Sequence, residues 1–103
     1  MSDGQLSVRV VDNPNAGRYD AYVGDQLAGS VYYQVHHDRI VFVHTEVDDA
    51  FEGHGVGGRL ARFALDDARA RGLRVIAQCP FISGYIDHHP EYQDLLLTRR
   101  ASG

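Results

Sequence analysis

The stretch from Glu46 to Gly72, EVDDAFEGHGVGGRLARFALDDARARG, decides the fold. It begins as the end of a strand, passes through a glycine-rich turn and finishes as a helix. From Val56 onward, Val56, Leu60, Phe63, Ala64, Leu65 and Ala68 recur at helical spacing as a core stripe, while Arg59, Arg62, Asp66, Asp67, Arg69 and Arg71 form the polar remainder. Gly72 stands where a left-handed residue closes a helix. Ahead of the stripe, Gly53, Gly55, Gly57 and Gly58 crowd the helix entrance. Glycines there let the backbone approach another group, and a helix start presents unpaired N–H groups and a positive dipole end. The combination predicts an anion site, most naturally for phosphate.

Upstream, the chain reads as strands joined by hairpins. Leu6, Val8 and Val10 alternate with Ser7 and Arg9, giving a first strand over 6–11, and Asp12 to Gly17 is a dense turn signal. Tyr19, Ala21 and Val23 define a second strand, which Gly24-Asp25 ends in a tight hairpin. A third strand over 26–36 places Leu27, Gly29, Val31, Tyr33 and Val35 on one face. A fourth over 39–47 places Val41, Val43, Thr45 and Val47 on one face and Ile40, Phe42, His44 and Glu46 on the other. Downstream of the helix, Leu73–Gln78 is a short buried strand, parallel to the fourth because a long helix connects them. Phe81, Ile82, Tyr85 and Ile86 predict a short helix over 81–89, stopped by Pro90. Leu95–Leu97 offers a last strand or a tail, and TRRASG reads as disordered. The class is α+β: a four-stranded antiparallel meander, then helix, parallel strand, short helix and tail, in one domain spanning 1–103.

Composition narrows the function. With 44% hydrophobic and 23% charged residues this is an ordinary globular chain. A net charge of −4 gives no basic face for nucleic acid. All ten basic residues are Arg, which removes Schiff-base and Walker-lysine chemistry. No run approaches the ~18–20 apolar residues of a membrane span, and MSDGQLSV lacks the features of a signal peptide, so a cytoplasmic location is expected. One cysteine, Cys79, agrees with a reducing compartment.

Gly53-His54-Gly55-Val56-Gly57-Gly58 fits G-x-G-x-x-G literally. The dinucleotide reading fails, because Asp48 to Glu52 separate strand from glycine and the next strand ends in Ala77-Gln78-Cys79 with no carboxylate. A Walker loop is excluded by the lack of Gly-Lys-Ser/Thr. The stretch from His44 to Tyr92 instead resembles the small, single-domain branch of the GNAT N-acetyltransferases. The pyrophosphate loop of that superfamily, Gln/Arg-x-x-Gly-x-Gly/Ala, is matched by Glu52-Gly53-His54-Gly55-Val56-Gly57, with Glu at the first position. That departure implies weaker cofactor affinity, with backbone amides doing the binding.

The resemblance implies a minimal GNAT-like fold and acetyl-CoA as co-substrate, without a metal. Its pyrophosphate would meet the amides of Gly53 to Gly58, including His54 and Val56, and the thioester would lie near Thr45 and Val47 where the fourth and fifth strands splay. Arg59, Cys79 and Tyr92 are further candidate contacts. The implied activity is transfer of acetyl to a primary amine (a protein lysine, a polyamine or a small amine) by direct attack in a ternary complex. The alternative is a CoA-binding sensor or interaction module with little turnover. Positioning alone can supply ~7–11 kcal/mol of such a barrier, so no conspicuous triad is required.

Glu46 and His44, ~7 Å apart along one strand face by strand rise, are candidate bases; the plain alternative is two solvated side chains. Cys79 is either an acyl-accepting nucleophile or a small buried residue lining the acetyl pocket. Tyr85 is either the acid that protonates the leaving thiolate or a core aromatic. His36-His37 and His88-His89 point apart with no third ligand at useful spacing, so no metal site is expected. The assembly is expected to be monomer or homodimer.

Overall fold

The computed structural model describes residues 7–97. Its elements are β1 (Val8–Asn13), β2 (Arg18–Val23), β3 (Gln26–His36), β4 (Arg39–Val47), α1 (Val56–Ala70), β5 (Arg74–Ala77) and α2 (Pro80–Asp87). The strands form one sheet in the order β1-β2-β3-β4-β5, antiparallel throughout except for the parallel β4–β5 pair. This is the α+β arrangement expected. Leu6 and the tail 98–103 lie outside the described residues.

One face of the sheet carries α1. Val56, Leu60, Ala61, Ala64, Leu65 and Ala68 are buried there, against Tyr19, Ala21, Val31, Ile40, Phe42 and Val75. Phe63, assigned to the stripe, sits on its rim: it is 37% exposed, with its ring 5.8 Å edge-on to Tyr19. The helix ends as expected. Gly72 has φ 71°, and the Gly72 and Leu73 amides donate to the Arg69 and Ala68 carbonyls, satisfying groups that would otherwise be orphaned at the C-terminus.

Two β-bulges correct the expected face assignments. In β3, Ala21 pairs with Gly29 but Tyr22 with Leu27, so Ala28 is an extra residue. Ala28 is buried in the core and Leu27 is 41% exposed, so Leu27 does not share the environment of Val31 and Tyr33. In β4, Tyr32 pairs with His44 and Tyr33 with Phe42, leaving Val43 as the extra residue. One inserted residue inverts the alternation. Ile40 and Phe42 are core, Val43 is 39% exposed, and beyond the bulge Val47 packs on the core while His44 and Glu46 are exposed. Both expected face sets therefore break at Val43: Val47 follows Ile40 and Phe42 onto the core side, so neither Val41, Val43, Thr45 and Val47 nor Ile40, Phe42, His44 and Glu46 share one face.

The C-terminal elements need smaller corrections. The Phe81 side chain is 43% exposed although Ile82 and Ile86 are buried. After α2, Pro90–Leu95 forms a 3-10 turn, and Leu96 makes one parallel bridge to Val75, with the Leu97 amide donating to the Val75 carbonyl at 2.9 Å. The last strand is thus a single bridge.

Tyrosine hydroxyls fasten the helix to the sheet and to the 3-10 turn. Tyr19 donates to Asp67 and Tyr33 to Asp12, each at 2.6 Å, and Tyr92 donates to Asp66 at 2.7 Å. Burial first, then the bond to Asp12 or Asp66, pushes Tyr33 and Tyr92 up to about 12; the same causes, with Asp67, raise Tyr19. Folding favours their protonated forms. The stability they add is complete below the ordinary value of 10.0 and is lost as pH climbs through about 12. Tyr19, Tyr33 and Tyr92 are therefore expected to ionise late in a tyrosinate absorbance titration, together with unfolding followed by circular dichroism.

Candidate active site

The sheet opens where β5 stops. Pairing of β4 with β5 ends at Phe42↔Ala77, and the Cys79 amide donates to the Phe42 carbonyl at 2.9 Å. Pro80, at the first turn of α2, then turns the chain away. β4 runs on to Val47 with no described strand against its β5-facing edge, and the Val43 bulge lies at the parting point. Bulges commonly re-aim side chains beside active sites. Across the base of the gap, Thr45 Oγ1 and Cys79 Sγ lie 3.0 Å apart, and Cys79 is 2% exposed.

The glycine loop follows β4 directly. Asp48 accepts from the Ala50 amide at 2.9 Å and caps a 3-10 turn, Asp49–Phe51, which delivers the chain to Gly53. Gly53 and Gly55 have φ 85° and 79°, a conformation only glycine adopts freely. Gly55 is the N-cap of α1 and offers no capping side chain, so the amides that open the helix are free to take a ligand. Open space surrounds the Cβ positions of Gly53, Gly55 and Gly58. Gly57 has another reason: a Cβ there would lie 2.9 Å from Phe81 Cζ, so glycine admits the Phe81 ring against the helix entrance. Gly55→Val is expected to weaken phosphate-ligand binding about 10- to 100-fold, since the left-handed backbone costs a β-branched residue roughly 1–2 kcal/mol or more and the amides move with it. Calorimetry on the folded variant checks this.

On the face away from α1, the His44 and Glu46 side chains meet, Nε2 to Oε2, at 3.2 Å. The Tyr32 ring stacks on His44 with centroids 6.0 Å apart. Two depressions, about 640 and 430 Å³, flank this group and share Tyr32 and Glu46 in their walls. Beside them lies a polar cluster that strand alternation gave no reason to single out. Asp20, fully buried, accepts from Arg18 Nε and Ser30 Oγ, both at 2.7 Å, and from Asn13 Nδ2 at 3.0 Å. The Arg18 guanidinium lies 5.9 Å above the Tyr32 ring. Tyr32 was findable in principle, because it stands directly opposite His44 once a single bulge is allowed.

Other sequence candidates divide. Tyr85 is half-buried, stacked 3.8 Å on His89, with its hydroxyl raised above the ordinary range chiefly by burial. His88 and His89 donate Nδ1–H to the Gly84 and Tyr85 carbonyls, which spends them on the end of α2. Tyr92 is 7% exposed and bonded to Asp66, facing α1. The Arg59 guanidinium turns away from the loop, donating Nη2–H to the Val8 carbonyl at 3.1 Å. His54 stays exposed on the loop. Among the described residues no three His, Cys, Asp or Glu side chains gather as metal ligands.

Comparison with known proteins places this geometry. Over residues 18–95 the chain matches the pattern of the family described as GCN5-related N-acetyl-transferase. Protein NATD1 of Xenopus tropicalis and of Homo sapiens is 38% identical over 47 residues, 46% of this chain and 43% and 42% of those proteins, so the match spans under half of either relative. The solution structure of a GCN5-like protein of Staphylococcus aureus superposes with a TM-score of 0.65 at 26% identity, covering 95% of this chain and 94% of that one. With the family pattern spanning most of its length, this chain belongs to the GCN5-related N-acetyltransferases.

Proposed function

We propose that the chain binds acetyl-CoA along the open edge of β4 and the Gly53–Gly58 loop, and transfers its acetyl group to a primary amine arriving across the outer face of the sheet. Family membership implies use of acetyl-CoA. The residues present fit that group: left-handed glycines beside an uncapped helix N-terminus suit a pyrophosphate, and an unpaired strand edge suits an amide-bearing arm. When bound, the co-substrate supplies an activated acetyl thioester. The chain's own residues do the rest.

Glu46 takes a proton from the incoming ammonium so that the neutral amine can attack, and His44, 3.2 Å away and stacked on Tyr32, fixes the carboxylate in place. Thr45 and Cys79 close the floor of the gap at 3.0 Å from each other. With its sulfur buried and engaged by Thr45, Cys79 lines the site; it is not the acyl carrier. Tyr85, held neutral by burial, is the group suited to return a proton to the departing thiolate. The amine acceptor is a polyamine, a small amine or a protein lysine, and the two open depressions at Glu46 admit any of these.

One observation carries this reading: His44 and Glu46 occupy the last residues of β4, past the Val43 bulge, and the chain runs from there through the 3-10 turn into the uncapped glycine loop. The test is acetyl transfer from acetyl-CoA to a panel of amines, followed as released thiol. Turnover above the uncatalysed rate is expected for at least one amine class. The second reading, a CoA-binding module without turnover, is favoured by the exposed Glu52 carboxylate at the head of the loop. It predicts binding with no transfer to any amine.

A further inference from the structure

The outer face of the sheet holds a buried carboxylate to which acetyl transfer as described gives no role. Asp20 is fully buried on the side that α1 does not cover, and Ser30 beside it is 4% exposed. A carboxylate out of reach of water keeps its charge only where donors replace the solvent. Asp20 has three, Arg18 Nε, Ser30 Oγ and Asn13 Nδ2, and among the described residues no buried side-chain nitrogen or oxygen lacks a partner. Apolar side chains often fill such a space with equal or greater stability. The group is therefore explained by what it holds.

The strand register shows what that is. Arg18, Tyr32 and His44 stand directly opposite one another across β2, β3 and β4, and Asp20, Ser30 and Glu46 form the neighbouring row. At the β2 end Arg18 is bonded to Asp20 at 2.7 Å, and at the β4 end His44 meets Glu46 at 3.2 Å. Tyr32 joins the two ends. The Arg18 guanidinium lies 5.9 Å from its ring on the β2 side, and on the β4 side the His44 ring stacks on it at 6.0 Å with 28° between the planes. The Val43 bulge makes this possible: in unbroken pairing Val43 would face Tyr32, and His44 would face Val31 in the core.

The two ends differ in what keeps them in place. The His44 and Glu46 side chains are 58% and 60% exposed, whereas Asp20 is 0% exposed. An exposed pair holds its own geometry weakly, because water competes for both groups and two side chains must be ordered. A buried carboxylate bonded three times is held much more tightly, since losing a partner leaves its charge uncompensated. Order at His44 and Glu46 thus has to come from the Asp20 end.

We propose that Asp20, acting through Arg18 and Tyr32, is a positioning residue that holds the His44–Glu46 pair in the one orientation in which Glu46 receives a proton from the acceptor amine. The catalytic half of this rests on the acetyl-transfer reading; the packing half does not. Asp20 fixes the guanidinium, the guanidinium steadies the ring from one side, and the ring steadies His44 from the other. Asp20 also neutralises Arg18, whose charge would otherwise repel an ammonium arriving at Glu46.

The experiment reads side-chain order by nuclear magnetic resonance in the full chain, from χ1 scalar couplings and from cross-relaxation between the Tyr32 and His44 rings, and then turnover. One χ1 rotamer is expected for His44 and for Glu46 in the wild-type chain. Tyr32→Leu averages both, and Tyr32→Phe, which keeps the ring, restores them. Arg18→Gln places an amide nitrogen where Nε stood, so Asp20 stays bonded while the ring loses the guanidinium; it too averages His44, and circular dichroism checks that both variants keep the fold. In turnover, Tyr32→Leu and Arg18→Gln lower kcat by about tenfold or more with the dissociation constant for acetyl-CoA unchanged. His44 already averaged in the wild-type chain, or still fixed in either folded variant, overturns the proposal, as does a freed His44 with unchanged kcat. A wild-type chain whose rotamers behave as expected but which transfers acetyl to no amine supports the packing and overturns the acetyl-transfer reading alone.

Discussion

Glu46→Gln is expected to lower the rate of acetyl transfer by about 10²- to 10⁴-fold while leaving the dissociation constant for acetyl-CoA unchanged. The split follows from where the side chain stands. Glu46 is exposed on the outer sheet face, hydrogen-bonded to His44 and lining both depressions, where the proposed mechanism brings in the amine. Glutamine keeps the shape and the contact with His44 but cannot accept the proton. His44→Gln removes the ring that stacks on Tyr32 and aligns the carboxylate, and it should cost less than the Glu46 change. Steady-state kinetics with calorimetry on both variants checks this. A Glu46→Gln enzyme with full activity would remove the residue from the mechanism.

The largest stability effect is expected at a position with no chemistry. A Cβ at Gly29 would sit 2.7 Å from the Glu46 carbonyl oxygen and 3.2 Å from Leu60 Cδ1 and Val56 Cγ1. The first neighbour is backbone of the adjacent strand, and the other two are fully buried side chains at the start of α1, so none yields easily. Gly29→Ala is therefore expected to cost about 2–3 kcal/mol, the upper range for overpacking. In a domain of this size that is a fall in Tm on the order of 10–20 °C by differential scanning calorimetry. Because the clash displaces both β4 at Glu46 and α1 at Val56 from β3, the proposed acetyl-CoA binding should weaken as well. Gly58→Ala is the control. Its Cβ meets nothing and lies within the helix, so stability should rise by about 0.5–1 kcal/mol.

What the sequence made legible follows from signals that survive in one dimension. The 3.6-residue stripe over Val56–Ala68, the left-handed Gly72 and the turn residues each report a local rule, and α1, β5 and α2 fell where those rules put them. The bulges at Ala28 and Val43 left no such trace. When Val stands on both faces of a strand, as at Val41 and Val43, an inserted residue inverts the pattern without changing its composition. The direction of Arg59 was hidden for a different reason. A long side chain at the first turn of a helix can reach the loop or the neighbouring strand equally well, and only the packed position of β1 decides for Val8. The buried Asp20 group was missed because alternation marks Asp20 as an outward, solvated residue, whereas Arg18, Asn13 and Ser30 close over it. Gly57 was read as a close approach, and the sequence had no signal for the ring of Phe81 that it admits.

The measurement that bears most directly on this account is a calorimetric titration of acetyl-CoA into the chain, with ATP and NADH as controls and a parallel thermal unfolding series. Selective micromolar binding is predicted, weakened about 10- to 100-fold in Gly55→Val, with a gain of ~2.7 kcal/mol in stability at a free concentration 100 times the dissociation constant. Absence of binding up to millimolar acetyl-CoA, or equal binding of ATP and NADH, would contradict it and leave the glycine loop as a structural turn.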